Sequence, residues 1–436
     1  METRETINIK SSQVSPRFRY VLSYLSEQLG IDFTINSDSD RTLYYSPKTI
    51  EDSVCIYDSG LLREKSISKR LIPVSAEPGN VQLFPSPSGF DFPLDIFSAI
   101  FYMLSRYEEY LPFEPDPYGR FEVSQGLAGR HGFAEEPVVD RWIKMFRTAL
   151  VRWFPSIKVP ERKFGFVSTI DVDSPWAYLH KGFLRNTAGI LRSLTLMDWA
   201  EVSNRFSVIT GRKKDPYDVY DYINRVEEKN GIRSAYFFLS GDYGGYDVNA
   251  AFRKTEFSEL VTKIRAHNQV GIHPSYRSNI NFNILKSEFK QFGAILRTEP
   301  ELSRQHFLML KLPDTYDRLV ESGITHDYSM GYASTPGFRA GTSRPFKFYN
   351  LKKETETGLV VHPFVVMDVT LQQYLKLDPL QATRKIKQLI QKTAAVNGLF
   401  TWLWHNESLS EHGIWKGWRK VFEEMVGECK SVTGDW

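Results

Sequence analysis

Along the chain, short apolar runs of five to seven residues alternate with stretches whose apolar positions recur every three to four residues, and the alternation becomes regular after Pro155. The runs FGFVSTI from Phe164, SAYFFL from Ser234, QVGIH ending at His273, RQHFLML from Arg304, ITHDY from Ile324, LVVHPF from Leu359 and LFTWLW from Leu399 read as strands, being short and rich in β-branched and aromatic residues. Between most of them the period is that of a helix: Val219 to Glu228 before Asn230-Gly231, Phe257 to Ala266, Ile284 to Leu296, Thr315 to Ser322 after Pro313, and Leu380 to Val396 before Gly398. Seven strands alternating with helices predict an α/β fold with a parallel sheet or barrel, whose chemistry gathers where strands end at their carboxyl side.

Before residue 155 the pattern is looser. A helical run from Tyr20 to Leu29 closes at Gly30, IDFTI reads as a strand, RTLYYS as a hairpin, and Pro93 to Leu104 (PLDIFSAIFYML) as a buried helix, with Pro- and Gly-bearing turns between them. Residues 1–155 are therefore expected to form a smaller mixed α/β domain, and residues 156–436 the regular one, carrying an insertion at about 181–215. The run at Pro93 is shorter than the roughly 18 residues of a membrane span, and METRETINIK lacks a secretory pattern, so the expected location is the cytoplasm.

Composition narrows the options. In 436 residues, 42% hydrophobic and 25% charged, there is enough apolar material for a large core and too little bias for extended disorder. Lys plus Arg number 55 against 52 Asp plus Glu, a net +3 that excludes a general nucleic-acid binder. Cys55 and Cys429 alone cannot make a disulfide framework or a Cys-rich zinc module.

The candidate chemistry stands at strand ends. Asp171 and Asp173 follow the first strand, and two like charges so close are costly unless a cation neutralises them; the alternative is that they cap a helix. His273 ends the third strand before Pro274, Arg304 and His306 alternate onto one face of the fourth, and His405 ends the last, with Asp368 able to hold it charged. Each taken alone has a plain structural explanation as a packed histidine, a cross-strand ion pair or the edge of an aromatic core. It is their coincidence at one rim that points to a site.

The series Thr169-Ile170-Asp171-Val172-Asp173, Gly271-Ile272-His273-Pro274-Ser275-Tyr276, Arg304-Gln305-His306, Met367-Asp368 and Leu403-Trp404-His405 resembles the motifs of the polysaccharide deacetylases, the NodB-like carbohydrate esterases, over about residues 160–410. The first 155 residues, with Ser105-Arg106-Tyr107-Glu108-Glu109 and Tyr118-Gly119-Arg120-Phe121, resemble the N-terminal region that accompanies a bacterial branch of that family. The resemblance implies a distorted seven-stranded β/α barrel that removes N-acetyl groups from an amino sugar or polysaccharide in cell-surface polysaccharide biosynthesis, using a divalent metal, zinc first among the candidates. It implies Asp171 as general base, Asp173 and His273 as metal ligands, Arg304 as the group that orients the base, His405 as general acid and Asp368 as the carboxylate that tunes it.

One position departs from the family. Where it has a second histidine, four residues after the first, this chain has Arg277, which cannot ligate a metal. His306 is the expected third ligand; if it points elsewhere, the alternative is a catalytically degenerate barrel that binds a glycan or nucleotide-sugar as a scaffold. Arg339, within Gly337-Phe338-Arg339-Ala340-Gly341-Thr342, is expected to grip substrate, with Tyr276 and Trp404 beside it. The insertion holds seven basic residues against three acidic ones, interleaved with Phe183, Leu184, Leu194, Met197, Trp199 and other apolar residues. It reads as a lid, as a patch lying on an anionic membrane, or as a solvated helical face. Oligomeric state is not legible in the chain.

Overall fold

Continuous apolar runs bury both faces of a strand, and Ser234–Leu239 is buried at all six positions in the computed structural model, which describes residues 4–77, 79–247, 249 and 252–433. It lies near the middle of a nine-stranded sheet ordered Phe346–Asn350, Thr355–Val361, His326–Asp327, Leu302–Ser303, Gln269–His273, Ser234–Leu239, Gly165–Val172, Leu399–His405, Val366–Met367. Every pairing is parallel except that of Phe346–Asn350 with Thr355–Val361. Among the described residues no pairing joins the two edges, so the sheet is open and the closed seven-stranded barrel is not what forms. It is nevertheless curled: the chain passes from Val361, next to one edge, to Val366, at the other, in a step that can span only about 17 Å.

The predicted helices form within a few residues of their expected bounds, for example Phe282–Leu296 and Pro379–Ala394, the latter started by a capping box between Asp378 and Gln381. The run from Arg304 does not form a strand. The strand pairing ends at Ser303, and Phe307 and Leu308 adopt left-handed φ values of 58° and 55°, turning His306–Leu308 into a single tight turn. RTLYYS is not a hairpin either: Thr42–Ser46 is one strand, with Leu43 and Tyr45 buried, paired in parallel on both sides. The short strands Phe346–Asn350 and Val366–Met367 and the helix Trp418–Thr433 were not expected from the pattern.

The N-terminal unit has its own parallel sheet, ordered Asp32–Ile35, Thr6–Ser11, Thr42–Ser46, Val54–Tyr57, with the helix Ile96–Leu104 buried at every position. Its core is continuous with that of the large sheet. The segment that follows Thr335-Pro336 docks it. The backbone of Gly337, at φ 140°, comes so close to Ala134 that an added Cβ would lie 2.3 Å from its carbonyl oxygen. Phe338 donates its N–H to that carbonyl, and Thr342 and Ser343 donate to Asp140. Arg339, expected to hold substrate, is 2% exposed and gives both ends of its fork to Glu109 at 2.9 and 2.6 Å, with Arg106 on the same carboxylate. It is a structural residue of the interface between the units. No helix of the described residues is long and apolar enough to cross a membrane.

Candidate active site

Because the strands are parallel, their carboxyl ends share one rim. His405 is in register with Asp171, and His273, the last residue of its strand, with Leu239. No helix follows Asp173 until Phe183, so the aspartate pair caps none.

Asp171 is buried, and its Oδ1 accepts from Arg304 Nη1 at 2.8 Å. Arg304 is wholly buried, donates through Nε to the Tyr328 carbonyl at 2.9 Å, and lies 4.6 Å from the Phe237 ring centroid, so it has one available orientation. On the other flank, Asp368 accepts from the His405 backbone N–H at 2.7 Å and from Nδ1 at 2.8 Å, which leaves Nε2 facing inward, 3.9 Å from Asp173. Burial opposes charge on His405, but Asp368 above all, with Asp173 and Asp171, raises it to about 10.

Between these pairs lie Asp173, His273 and His306. His273 Nε2 is 3.3 Å from Asp173 Oδ1 and His306 Nε2 is 3.5 Å from Asp173 Oδ2, and one donor atom from each of the three falls within 4.8 Å of the others. Both imidazoles are held from behind: His273 Nδ1 donates to the Arg304 carbonyl at 2.6 Å, His306 Nδ1 to Asp247 Oδ1 at 2.9 Å. Each therefore turns Nε2 toward the common point, as a metal-ligating histidine requires. Burial would raise the Asp173 carboxyl, but His306, His273 and His405 hold it well below the usual carboxylate range. Burial likewise opposes charge on His306, and Asp173 and Asp247 outweigh it, raising it to about 9. Two imidazole nitrogens and one carboxylate, with Asp173 Oδ1 free of any hydrogen bond among the described residues, suit a divalent ion of the zinc type.

The three residues open into a cavity of about 450 Å³ walled by Tyr118, Phe307, Leu308, Met367 and Leu403, with Gln305, Gln373, Lys376 and Glu407 as polar lining. Burial raises the Glu407 carboxyl against the pull of His405. Two expected substrate contacts are not in this wall. Strand alternation that brings Leu403 and His405 inward sends Trp404 to the far side, where it is 1% exposed among Trp402, Trp418 and Phe422. Tyr276 stands behind Phe307, at 5.5 Å between ring centroids, and its hydroxyl donates to the Tyr118 carbonyl. Arg277 is exposed and does not join the ligand cluster.

Sequence reasoning missed Asp247 and Glu407, and it left Tyr118 and Arg120 without a role. For the two carboxylates the signals were an aspartate in the glycine-rich Asp242-Tyr243-Gly244-Gly245-Tyr246-Asp247 loop after a strand, and a glutamate two residues beyond His405.

A family model described as a family of unknown function (DUF7033) matches residues 7–155, and no curated protein matches. Among solved structures, a Mycobacterium smegmatis protein provisionally named a polysaccharide deacetylase is similar at 13% identity and a TM-score of 0.41, over 63% of this chain and 86% of that one. A pseudoenzyme of carbohydrate esterase family CE4 from Bacillus anthracis is similar at 9% identity and a TM-score of 0.31, over 62% of this chain and 61% of its own. A Parabacteroides distasonis protein provisionally named a glycoside hydrolase/deacetylase is similar at 10% identity and a TM-score of 0.36, over 63% of this chain and 68% of that one.

Proposed function

We propose that this chain is a metal-dependent hydrolase that removes N-acetyl groups from an amino sugar, free or within a polysaccharide, during the building of cell-surface glycans. The observation that carries this reading is the convergence of Asp173, His273 and His306 on one point, between the Asp171–Arg304 ion pair and the His405–Asp368 pair. A divalent ion held by Asp173, His273 and His306, zinc first among the candidates, would supply polarisation of the acetamide carbonyl and a more acidic water. Asp171, fixed by Arg304, accepts a proton from the attacking water. The new C–O bond forms at the carbonyl carbon and the C–N bond breaks. His405, kept protonated at neutral pH by Asp368, donates from Nε2 to the departing nitrogen, so that acetate and a free amine leave.

The rival reading is a catalytically degenerate deacetylase-like fold that binds a glycan or nucleotide-sugar without turning it over, and Arg277 in place of a family histidine motivates it. Catalysis is favoured because His306 turns toward Asp173 from another part of the fold. The test is acetate release from N-acetylhexosamine oligosaccharides by purified, zinc-loaded protein with and without chelator. Release abolished by chelator and restored by zinc is expected; zinc-loaded protein inert on every such glycan would leave the scaffold.

A further inference from the structure

His306 is delivered by an improbable piece of backbone. Two consecutive residues without glycine's freedom, Phe307 and Leu308, stand at left-handed φ, a conformation that persists only where its surroundings impose it. The group that grips this turn belongs to the N-terminal unit: Arg120, 6% exposed, donates through Nη1 to the Phe307 carbonyl at 3.0 Å and through Nη2 to the Tyr374 hydroxyl at 3.0 Å. Its Nε and Nη2 also reach Asp116, whose carboxylate accepts in addition from the Tyr118 and Arg120 backbone, making Asp116–Arg120 a closed turn. From that turn Tyr118 packs against Phe307, the ring centroids 5.1 Å apart and the planes tilted by 41°, and forms part of the cavity wall.

We propose that the N-terminal unit is part of the active centre: its Asp116–Arg120 turn clamps the 306–308 turn, making Arg120 the positioning residue for His306, and Tyr118 closes the substrate cavity on a sugar face. The proposal rests on the metal site suggested above. It explains how a ligand from outside the usual histidine motif is held in place. The test is a zinc titration of the full chain against a competing chelator, with the melting of the metal-free protein measured alongside. Wild type should take up one equivalent; Arg120→Ala should bind zinc about 10–100-fold more weakly in a metal-free fold that melts lower, because buried Asp116 loses its partner, but still cooperatively, and Arg120→Lys should recover part of the zinc loss. Tyr118→Ala should raise KM for the oligosaccharide while zinc affinity and kcat hold. If Arg120→Ala does not fold, Asp116→Asn, which only loosens the arginine, should weaken zinc in the same direction. Unchanged zinc affinity in a folded variant overturns the clamp and leaves the metal site standing, whereas no zinc uptake by wild type overturns both.

A separate observation concerns the insertion, which forms the two helices Phe183–Thr195 and Trp199–Ile209. Nine large apolar side chains are exposed on it, Phe183 at 82%, Leu184 at 84% and Trp199 at 67% among them. Its three acidic residues already have partners: Asp198 caps the second helix, Glu201 accepts from Tyr178 and Arg205, and Asp215 is buried on four backbone N–H groups. Arg192, Arg212 and Lys213 face outward, so the apolar face has a cationic border that complements lipid phosphates. We infer that this hairpin seats the protein on an anionic bilayer, beside the sheet end from which Asp173 emerges. Co-sedimentation with phosphatidylcholine vesicles, with and without phosphatidylglycerol, tests it: binding to the anionic vesicles only, weakened about tenfold or more by Trp199→Ser with Leu184→Ser, is expected. Binding to neither, equal binding to both, or a dimer in sedimentation that the same substitutions dissociate would overturn it.

Discussion

Replacing Asp247 by Asn asks whether the carboxylate behind His306 belongs to a metal centre or merely fills a loop. Asp247 is fully buried, and its Oδ1 accepts both His306 Nδ1–H at 2.9 Å and the Tyr276 backbone N–H at 2.8 Å. Asparagine keeps that acceptor and nearly the same volume, so the loop should retain its shape. What disappears is the negative charge that strengthens the imidazole as a donor. Loss of such a partner costs about 10–100-fold in metal affinity, or about 1.4–2.8 kcal/mol. Asp247 Oδ2 has no hydrogen bond among the described residues, so an amide nitrogen there forfeits no existing contact. The metal-free melting temperature should therefore move by only about 2–4 °C. The assay is a competition titration of zinc against a fluorescent chelator, read with the thermal melt of the dialysed protein. Wild-type zinc affinity in Asp247→Asn would refute the argument, as would a collapse of the metal-free fold.

Arg339→Ala should cost about 3–5 kcal/mol in urea unfolding, since it leaves buried Glu109 with one of its two arginines, while KM in the folded fraction stays put; a raised KM with intact stability would return Arg339 to the substrate. Burial pushes Glu288 up to about 7, against the bonds it accepts from Ser275, and this fixes a sign. A carboxyl raised above its ordinary 4.5 contributes fully at acid pH and loses that contribution as pH rises through about 7, a fall of about 3 kcal/mol. Glu288→Gln should flatten the urea-unfolding profile between those values, and an unchanged slope would remove Glu288 as its source. His405→Asn should lower kcat/KM by about 10²–10⁴-fold with zinc content retained, and loss of zinc instead would make His405 a ligand.

Much of the site was legible because buried parallel strands announce themselves as unbroken apolar runs, and the residue that ends such a run stands at the rim. Asp171, His273 and His405 were found in this way, and the structure brings them together with Asp173, Arg304, Asp368 and His306. Alternation from His405 also contained the evidence against Trp404. Arg339 was misread because glycines that admit a ligand admit a neighbouring backbone equally well, and here the neighbour is Ala134. Asp247 lies in a glycine-rich loop with no period to place it, and no local pattern predicts left-handed Phe307 and Leu308, since a contact from a distant residue supports them.

The Arg106–Glu109–Arg339 cluster makes residue 155 a boundary in pattern that is not a boundary in folding. A fragment beginning at 156 would strip Arg339 of its counter-charge and uncover Tyr349, against which Tyr20 and Phe101 of the N-terminal unit pack. The two units should melt in a single transition. Any rearrangement that carried the N-terminal unit to another protein would have to move residues 337–343 with it, so the pair is heritable as one piece.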